Sequence, residues 1–438
     1  MKKVKYVLIL LCLILVVLII IIIKDKGKNE AEKTADQALT QDDNSYGEEV
    51  SFIDYFIVKN CLQQYINGLN MDNFIYYHRD ENGKYIDDTD ETEKKQNIYN
   101  LLSKDYIDEN SITIKNLNNF IKTTTVEKEI VPCKIVKINT EKEDLSIENY
   151  FISAVLFEEA NIEKFDKIYA IVNLDIVNGT FSIRPLKGEK ELENFKIQNI
   201  ASIEEKNNNI YLSEEITDQK IATEYFTNYK YLLLTDVELA FNNLNKDYME
   251  KRFGNLQSFK EYVNNNKEIL KGMTIEKYQV INNEDNTEYV CTDQYNNIFI
   301  FYEKSTLDYN VILDMYTLDI PQLNEKYDET NEKGKCILNI EKIEQALNSG
   351  DYKYIYGKLN EQFKNKNYST LSTFENYMKS NLNKYNKIEY KEFKNEGETY
   401  IYNVELTDLL GKTDKTINMQ ILMQLKDDRD FVMSFSIK

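Results

Sequence analysis

Hydrophobic positions follow two patterns in this chain. From Tyr6 to Ile23 they are continuous, 18 apolar residues in a row, and beyond residue 50 they recur at helical and strand spacings. As a helix at ~1.5 Å per residue the run reaches about 27 Å, the hydrocarbon thickness of a bilayer. Lys2, Lys3 and Lys5 precede it, and Lys24, Lys26 and Lys28 close it where a cleaved signal peptide would carry a small-residue site. The pattern predicts an uncleaved anchor: a cytoplasmic tail over 1–5, a transmembrane helix over 6–23 and a flexible stalk over 24–50. The stalk is rich in Lys, Glu, Asp, Asn, Gln and Thr and poor in large apolar groups. Cys12 lies mid-run after Leu11, the setting of a core cysteine rather than of a lipid attachment site.

The periodic part repeats. Asp236 to Val263 and Asp351 to Met378 align without a gap at an offset of 115, matching Leu244 with Leu359, Asn245 with Asn360, Tyr248 with Phe363, Phe253 with Tyr368, Phe259 with Phe374 and Tyr262 with Tyr377. Steps of three and four along Leu256, Phe259, Tyr262 and Val263 predict amphipathic helices. Asp236 and Asp351 stand at a first N-cap position and Asn255 and Thr370 at a second. A third, stretched copy reads Asp72, then Leu102, Asp105 and Tyr106, then Asn116, Leu117 and Phe120. Its extra residues hold Asn82-Gly83 between strand-like runs, which predicts an inserted β-hairpin.

Each copy is preceded by a helix, as at Ile221, Tyr225, Tyr229, Leu232 and Leu233, and followed by strands. The third shows Lys387 to Phe393, Thr399 to Leu406, Thr416 to Leu425 and Phe431 to Ile437; the first shows Ile130 to Ile138, Tyr150 to Phe157, Ile168 to Val177 and Thr180 to Arg184, with a turn at Asn178-Gly179. Phe181-Ser-Ile-Arg and Phe435-Ser-Ile-Lys mark equivalent unit ends, with Pro185 and Pro321 just outside a last strand. The predicted architecture is α+β: a transmembrane helix, then three units over 51–187, 188–323 and 331–438, each with helices on an antiparallel sheet.

Composition keeps this body among folded proteins, at 42% hydrophobic and 12% aromatic residues with 33 Tyr and no Trp. Residues after the run carry 51 basic against 74 acidic side chains, a net of −23. Such a body is repelled by nucleic acid and by anionic phospholipid, so no nucleic-acid partner is expected. Lysines flank the run on both sides, and orientation rests on this charge difference.

Helices followed by a curved antiparallel sheet resemble the cone-shaped α+β fold of the nuclear transport factor 2-like superfamily. The passage from Leu234 to Tyr248, followed by Phe253 to Tyr262, looks like the second-to-third helix passage of its bacterial extracytoplasmic members. Type IV secretion assembly factors and their Gram-positive conjugation relatives join a short tail and one span to such ectodomains, but this chain has three units. The superfamily holds enzymes and pure interaction modules, so the resemblance implies fold and not activity.

Chemistry-bearing candidates are few. His78 is the single histidine, placed near the hairpin tip beside Arg79 and Asp80, a solvated setting rather than that of a catalytic base. Cys61, Cys133, Cys291 and Cys336 are too scattered for a zinc site; free buried thiols are expected, with a Cys61 to Cys133 bridge left open for an oxidising compartment. Asp80, Asn82 and Gly83 lack the first and twelfth ligands of a calcium loop, and Asp87, Asp88, Asp90, Glu91 and Glu93 read as a solvated acidic loop. No phosphate or dinucleotide loop occurs. Catalytic, cofactor-binding and metal residues are therefore assigned to none, and no cofactor is expected.

The expected function is a membrane-anchored extracytoplasmic interaction or scaffold protein of the cell envelope, its units outside the membrane. Its partners are membrane lipid through one helix and an envelope protein. A structural subunit of a secretion or conjugation channel is one alternative. A small-ligand binder or enzyme using Asp and Tyr at the mouth of the second or third cone is the other.

Overall fold

A computed structural model describes residues 47–48, 50–70, 77–79, 85–87, 91–138, 147–158, 161–191, 215–283 and 286–438. The run at Tyr6 to Ile23, the tail before it and most of the stalk lie outside these residues. Among the described residues no helix is long and apolar enough to cross a membrane.

The first unit contains β1 (Gly47–Glu48), α1 (Phe52–Leu69), a hairpin of β2 (Tyr77–Arg79) and β3 (Tyr85–Asp87), α2 (Glu91–Leu101) and α3 (Lys104–Asn110). Strands β4 (Lys128–Ile138), β5 (Ile147–Glu158), β6 (Asn161–Asp175) and β7 (Thr180–Leu186) follow, and the antiparallel sheet runs β1-β4-β5-β6-β7. Ser51 starts α1 by accepting from the Asp54 N–H, and Tyr55, Val58, Leu62, Tyr65, Ile66 and Leu69 bury one face against the sheet.

The second unit has α4 (Asp218–Thr235), α5 (Val237–Asn242), α6 (Lys246–Arg252) and α7 (Leu256–Gly272), then β8 (Ile275–Asn282), β9 (Thr287–Asp293), β10 (Ile298–Ser305) and β11 (Asp308–Ile312). A connecting helix, α8 (Pro321–Glu329), leads to the third: α9 (Glu332–Asn348), α10 (Tyr352–Gly357), α11 (Glu361–Asn367), α12 (Leu371–Asn381), then β12 (Asn386–Glu396), β13 (Thr399–Asp408), β14 (Ile417–Leu425) and β15 (Phe431–Ile437). Both sheets are four-stranded antiparallel meanders, and each unit has its own buried cluster. The chain is thus a tandem of three α+β units.

One bond ties helices to sheet in every unit. Ser103 N donates to Ile183 O at 2.8 Å, Asn245 N to Val311 O at 2.9 Å and Asn360 N to Met433 O at 2.7 Å. In each case a short parallel bridge, at Leu102, Leu244 or Leu359, pins the helical hairpin to an edge strand that would otherwise expose unpaired groups. The predicted caps also form: Asp236, Asn255, Asp351 and Thr370 accept from Leu239, Ser258, Tyr354 and Thr373 N–H groups.

Several expectations are corrected. The third helix of the first copy is a single 3₁₀ turn, Leu117–Asn119; the Thr123-Thr124-Thr125-Val126 run is β-branched, and Thr124 instead bridges Asn70. Pro185 lies inside β7, opposite Ala170, on a sheet edge where its missing N–H costs no ladder bond. Leu318 to Ile320 is not a strand, and Pro321 instead opens α8 at the first helical position. That helix spans the gap left between the second and third units, and its buried Tyr327 meets Asn339 of α9. Gly47 and Glu48, assigned from sequence to the segment before the first unit, pair with Ile138 and Lys137 of its sheet, and Val50 is buried.

Aromatic rings fill the interiors of the later units. Tyr225, Tyr229, Phe301 and Tyr309 are fully buried together in the second, with neighbouring ring centroids 5.2 to 6.2 Å apart. In the third, Tyr368, Phe374 and Phe435 pack at 5.3 to 6.3 Å.

Candidate functional site at the junction of the second and third units

Arg252 ends α6 and, although polar, is mostly buried. Its Nε lies 3.3 Å from Asp351 Oδ2 and 3.7 Å from Asp314 Oδ2, and its Nη2 donates to Ser349 Oγ at 3.4 Å. Asp351 is the N-cap of α10 in the third unit, whereas Asp314 follows β11 of the second. Tyr248 OH donates to Asp314 Oδ2 at 2.8 Å, and Tyr316 OH donates to Asp351 Oδ2 at 3.2 Å. Asp314 also receives the N–H groups of Tyr316 and Thr317 and the Thr317 hydroxyl, so its two oxygens are satisfied.

Electrostatics follow from burial and partners. Burial raises the Asp314 carboxyl above the usual range, against the pull of the Thr317 N–H, Arg252 and Tyr248. Burial works against the Arg252 charge too, yet Tyr316, Tyr248, Asp351 and Asp314 hold the guanidinium above its ordinary value. Arg252 is therefore always charged and doubly compensated, and two units share its partners.

Next to the guanidinium a cleft of about 590 Å³ opens between α7 of the second unit and the α9–α10 turn, α12 and the loop before β12 of the third. Arg252 Cζ stands 4.8 Å from the Phe253 ring centroid and 5.8 Å from that of Tyr262. Across the cleft, Lys379 Nζ lies 5.5 Å from the Tyr352 ring and 2.6 Å from Glu375, and Lys384 Nζ lies 4.9 Å from the Tyr385 ring. Tyr385 OH donates to Asn265 O at 3.1 Å and Lys412 pairs with Glu268, two more bonds between units. Asn383 Nδ2, also in the lining, is buried without a hydrogen-bond partner.

The first and second units meet in the same manner. Glu224 of α4 pairs with Lys59 and accepts from Tyr55 OH at 2.9 Å, while Asn228 Nδ2 donates to Pro132 O at 2.6 Å and its Oδ1 accepts from Tyr309 at 2.9 Å. Phe157 and Tyr231 pack with centroids 4.4 Å apart.

The residues weighed from sequence are not brought together. His78 pairs with Ile86 in the predicted hairpin, and Asp87 lies in β3; Asp80, Asn82, Gly83, Asp88 and Asp90 fall outside the described residues. Glu91 and Glu93 lie in α2. Cys61, Cys133, Cys291 and Cys336 are free thiols, so the bridge left open between the first two is not formed, and Cys12 lies outside the described residues. Among the described residues no group of His, Cys, Asp and Glu is arranged to hold a metal ion. Compared with known proteins, the chain matches no family model and no curated sequence.

Arg252, Asp314 and Tyr316 were missed, and Asp351 was read only as a cap. One signal was present: the chain has four arginines among its 54 basic residues. Arg184 joins Asp105 and Glu109, Arg252 joins Asp314 and Asp351, and Arg429 forks onto Asp328. A chain that uses lysine for charge keeps arginine where geometry matters.

Proposed function

We propose that this chain is a membrane-anchored interaction protein of the cell envelope, holding three nuclear transport factor 2-like units outside the bilayer on the apolar run at Tyr6 to Ile23. The observation that carries the proposal is the pair of polar junctions between successive units, centred on Arg252 and Glu224. Linked modules held by such junctions act on a partner together, and several weak contacts then sum as one. Aromatic side chains filling the second and third interiors favour recognition at surfaces and clefts over chemistry inside a cone. The strong negative charge keeps such a body off anionic lipid and leaves its faces open to protein.

Protease added to intact protoplasts tests the topology. Digestion of everything beyond the stalk is the expected result; full protection of the three units overturns the extracytoplasmic placement. Assembly into a ring in detergent would instead favour a channel subunit.

A further inference from the structure

The first unit gathers exposed apolar side chains at one end of its sheet. Gly47 pairs with Ile138, Ile138 with Asn149 and Asn149 with Asn173, so β1, β4, β5 and β6 line up across one row. Because β1 runs antiparallel to β4, the chain before Gly47 enters past the Ile138 end. The β6–β7 turn lies at that same end, and at ~3.3 Å per residue its tip stands roughly 10 Å beyond the row. The tip is Ile176 and Val177, 53% and 79% exposed. Asp175 holds it in shape, its Oδ1 accepting from Asn178 N at 2.9 Å and its Oδ2 from Asn178 Nδ2 at 2.7 Å. Ile53, 56% exposed in the first turn of α1, is at this end too, since the adjoining Asp54 interacts with Tyr150, next to Asn149 in β5. These three are the most exposed large apolar side chains among the described residues. Scattered singly they would need no explanation; gathered at one end they mark a contact surface.

We propose that this end of the first unit faces the bilayer, and that Ile176, Val177 and Ile53 rest in its headgroup region as a second, weak contact beside the anchor. The proposal rests on the anchored reading. What selects lipid as the occupant is where the outside chain leads: only residues 24–46 separate this end from the apolar run, so the tether brings it to the surface first. Three apolar side chains hold a membrane only marginally by themselves, but tethering makes the contact intramolecular. Charge sets the lipid class. Asp54 and Asp175 lie at this end, Lys137 is paired with Glu148, and residues 139–146 add Glu141, Glu143 and Asp144 against Lys142. The headgroups contacted are therefore zwitterionic, because anionic ones are repelled. Toward the opposite end, Pro132 and Phe157 dock the second unit, so this contact stands the tandem off the surface.

The chain has no tryptophan, so a single introduced one reports its own surroundings. The test uses the full chain in phosphatidylcholine nanodiscs holding lipid brominated either near the headgroup end or at the middle of its acyl chain. Val177→Trp should emit to the blue of Val126→Trp and lose about half its emission to the shallow bromine, whereas Val126→Trp, exposed before β4 at the opposite end of the sheet, loses none. Adding Ile176→Asp to Val177→Trp should restore the emission, and replacing part of the lipid with phosphatidylglycerol should restore some of it. Leu15→Trp, inside the apolar run, separates the two readings. If mid-chain bromine quenches it while Val177→Trp is untouched, the anchor stands and this proposal falls, leaving the tip to a protein partner. If Leu15→Trp is not quenched, the anchored reading falls and this one with it. Equal quenching of Val177→Trp and Val126→Trp, or stronger quenching in anionic lipid, also overturns the proposal.

Discussion

Arg252 of the second unit lies 3.3 Å from Asp351 of the third, and that carboxylate simultaneously caps α10. The repeat places Asp236 at the same position one unit earlier. There it caps α5 and its ion-pair partner among the described residues is Lys167, at 4.0 Å and with both side chains largely exposed. The same cap position is thus the buried keystone of a junction in one unit and a largely exposed cap in the other.

Alanine at the two positions should therefore cost different amounts. Asp236→Ala removes a cap and is expected to destabilise by about 1 kcal/mol. Asp351→Ala removes a cap and leaves a buried guanidinium with one partner fewer, for roughly 3–5 kcal/mol. Equilibrium urea unfolding of both variants checks this; equal losses would mean that the Arg252 contact contributes nothing.

At Arg252 the geometry should matter as much as the charge. Lysine cannot address Asp314, Asp351 and Ser349 from one plane, so Arg252→Lys should recover less than half of the stability lost in Arg252→Met. In both variants the segment from Leu313 to Ile320, between the sheet of the second unit and α8, should become the first site of limited proteolysis. A double-mutant cycle with Asp351→Ala should give a coupling of at least ~1 kcal/mol.

Two carboxyls make stability depend on pH with an unusual sign. Burial, opposed by the Ile388 N–H and aided by Glu341, pushes Glu344 up to about 7; burial, opposed by the Asn297 and Tyr295 donors, pushes Asp293 up to about 6. Both folded-state values lie above the ordinary carboxylate range near ~4, so the folded chain binds more protons than the unfolded one. Their stabilising contribution is full below about pH 4 and is lost as pH rises through 6 and 7. Unfolding free energy should fall over that window by up to roughly 3 kcal/mol per group. Glu344→Gln keeps an acceptor for Ile388 N–H, 2.7 Å away, and should flatten its share of the slope.

Three of the cysteines, Cys61, Cys291 and Cys336, should be chemically silent in the folded chain. Burial pushes Cys291 and Cys336 up to about 12 and raises Cys61 as well. A thiol reagent at neutral pH should label these three only after unfolding, and a reducing agent should leave the unfolding midpoint unchanged.

Much of the fold was legible because it is written locally. The caps at Asp236, Asn255, Asp351 and Thr370, the strands of the first and third units and the Asn178-Gly179 turn, where Gly179 takes φ 64°, all depend on neighbours within a few residues. The misreadings at Leu117, Pro185 and Leu318 arise where tertiary pairing decides: Thr124 bridges Asn70, and a sheet edge tolerates proline. The site was not legible. Arg252 and Asp351 belong to different units, and nothing in the spacing of either helix says that the docked units will bring them together. Only the scarcity of arginine marked the position in advance.

Crosslinking of the full chain in intact cells at its normal abundance, with adducts identified by mass spectrometry, tests the interaction role most directly. A scaffold of the envelope predicts one recurring heterologous protein, joined through lysines near the second and third units and diminished in Arg252→Met. Recovery of the chain unattached, or joined only to abundant bystanders in proportion to their amount, would contradict it.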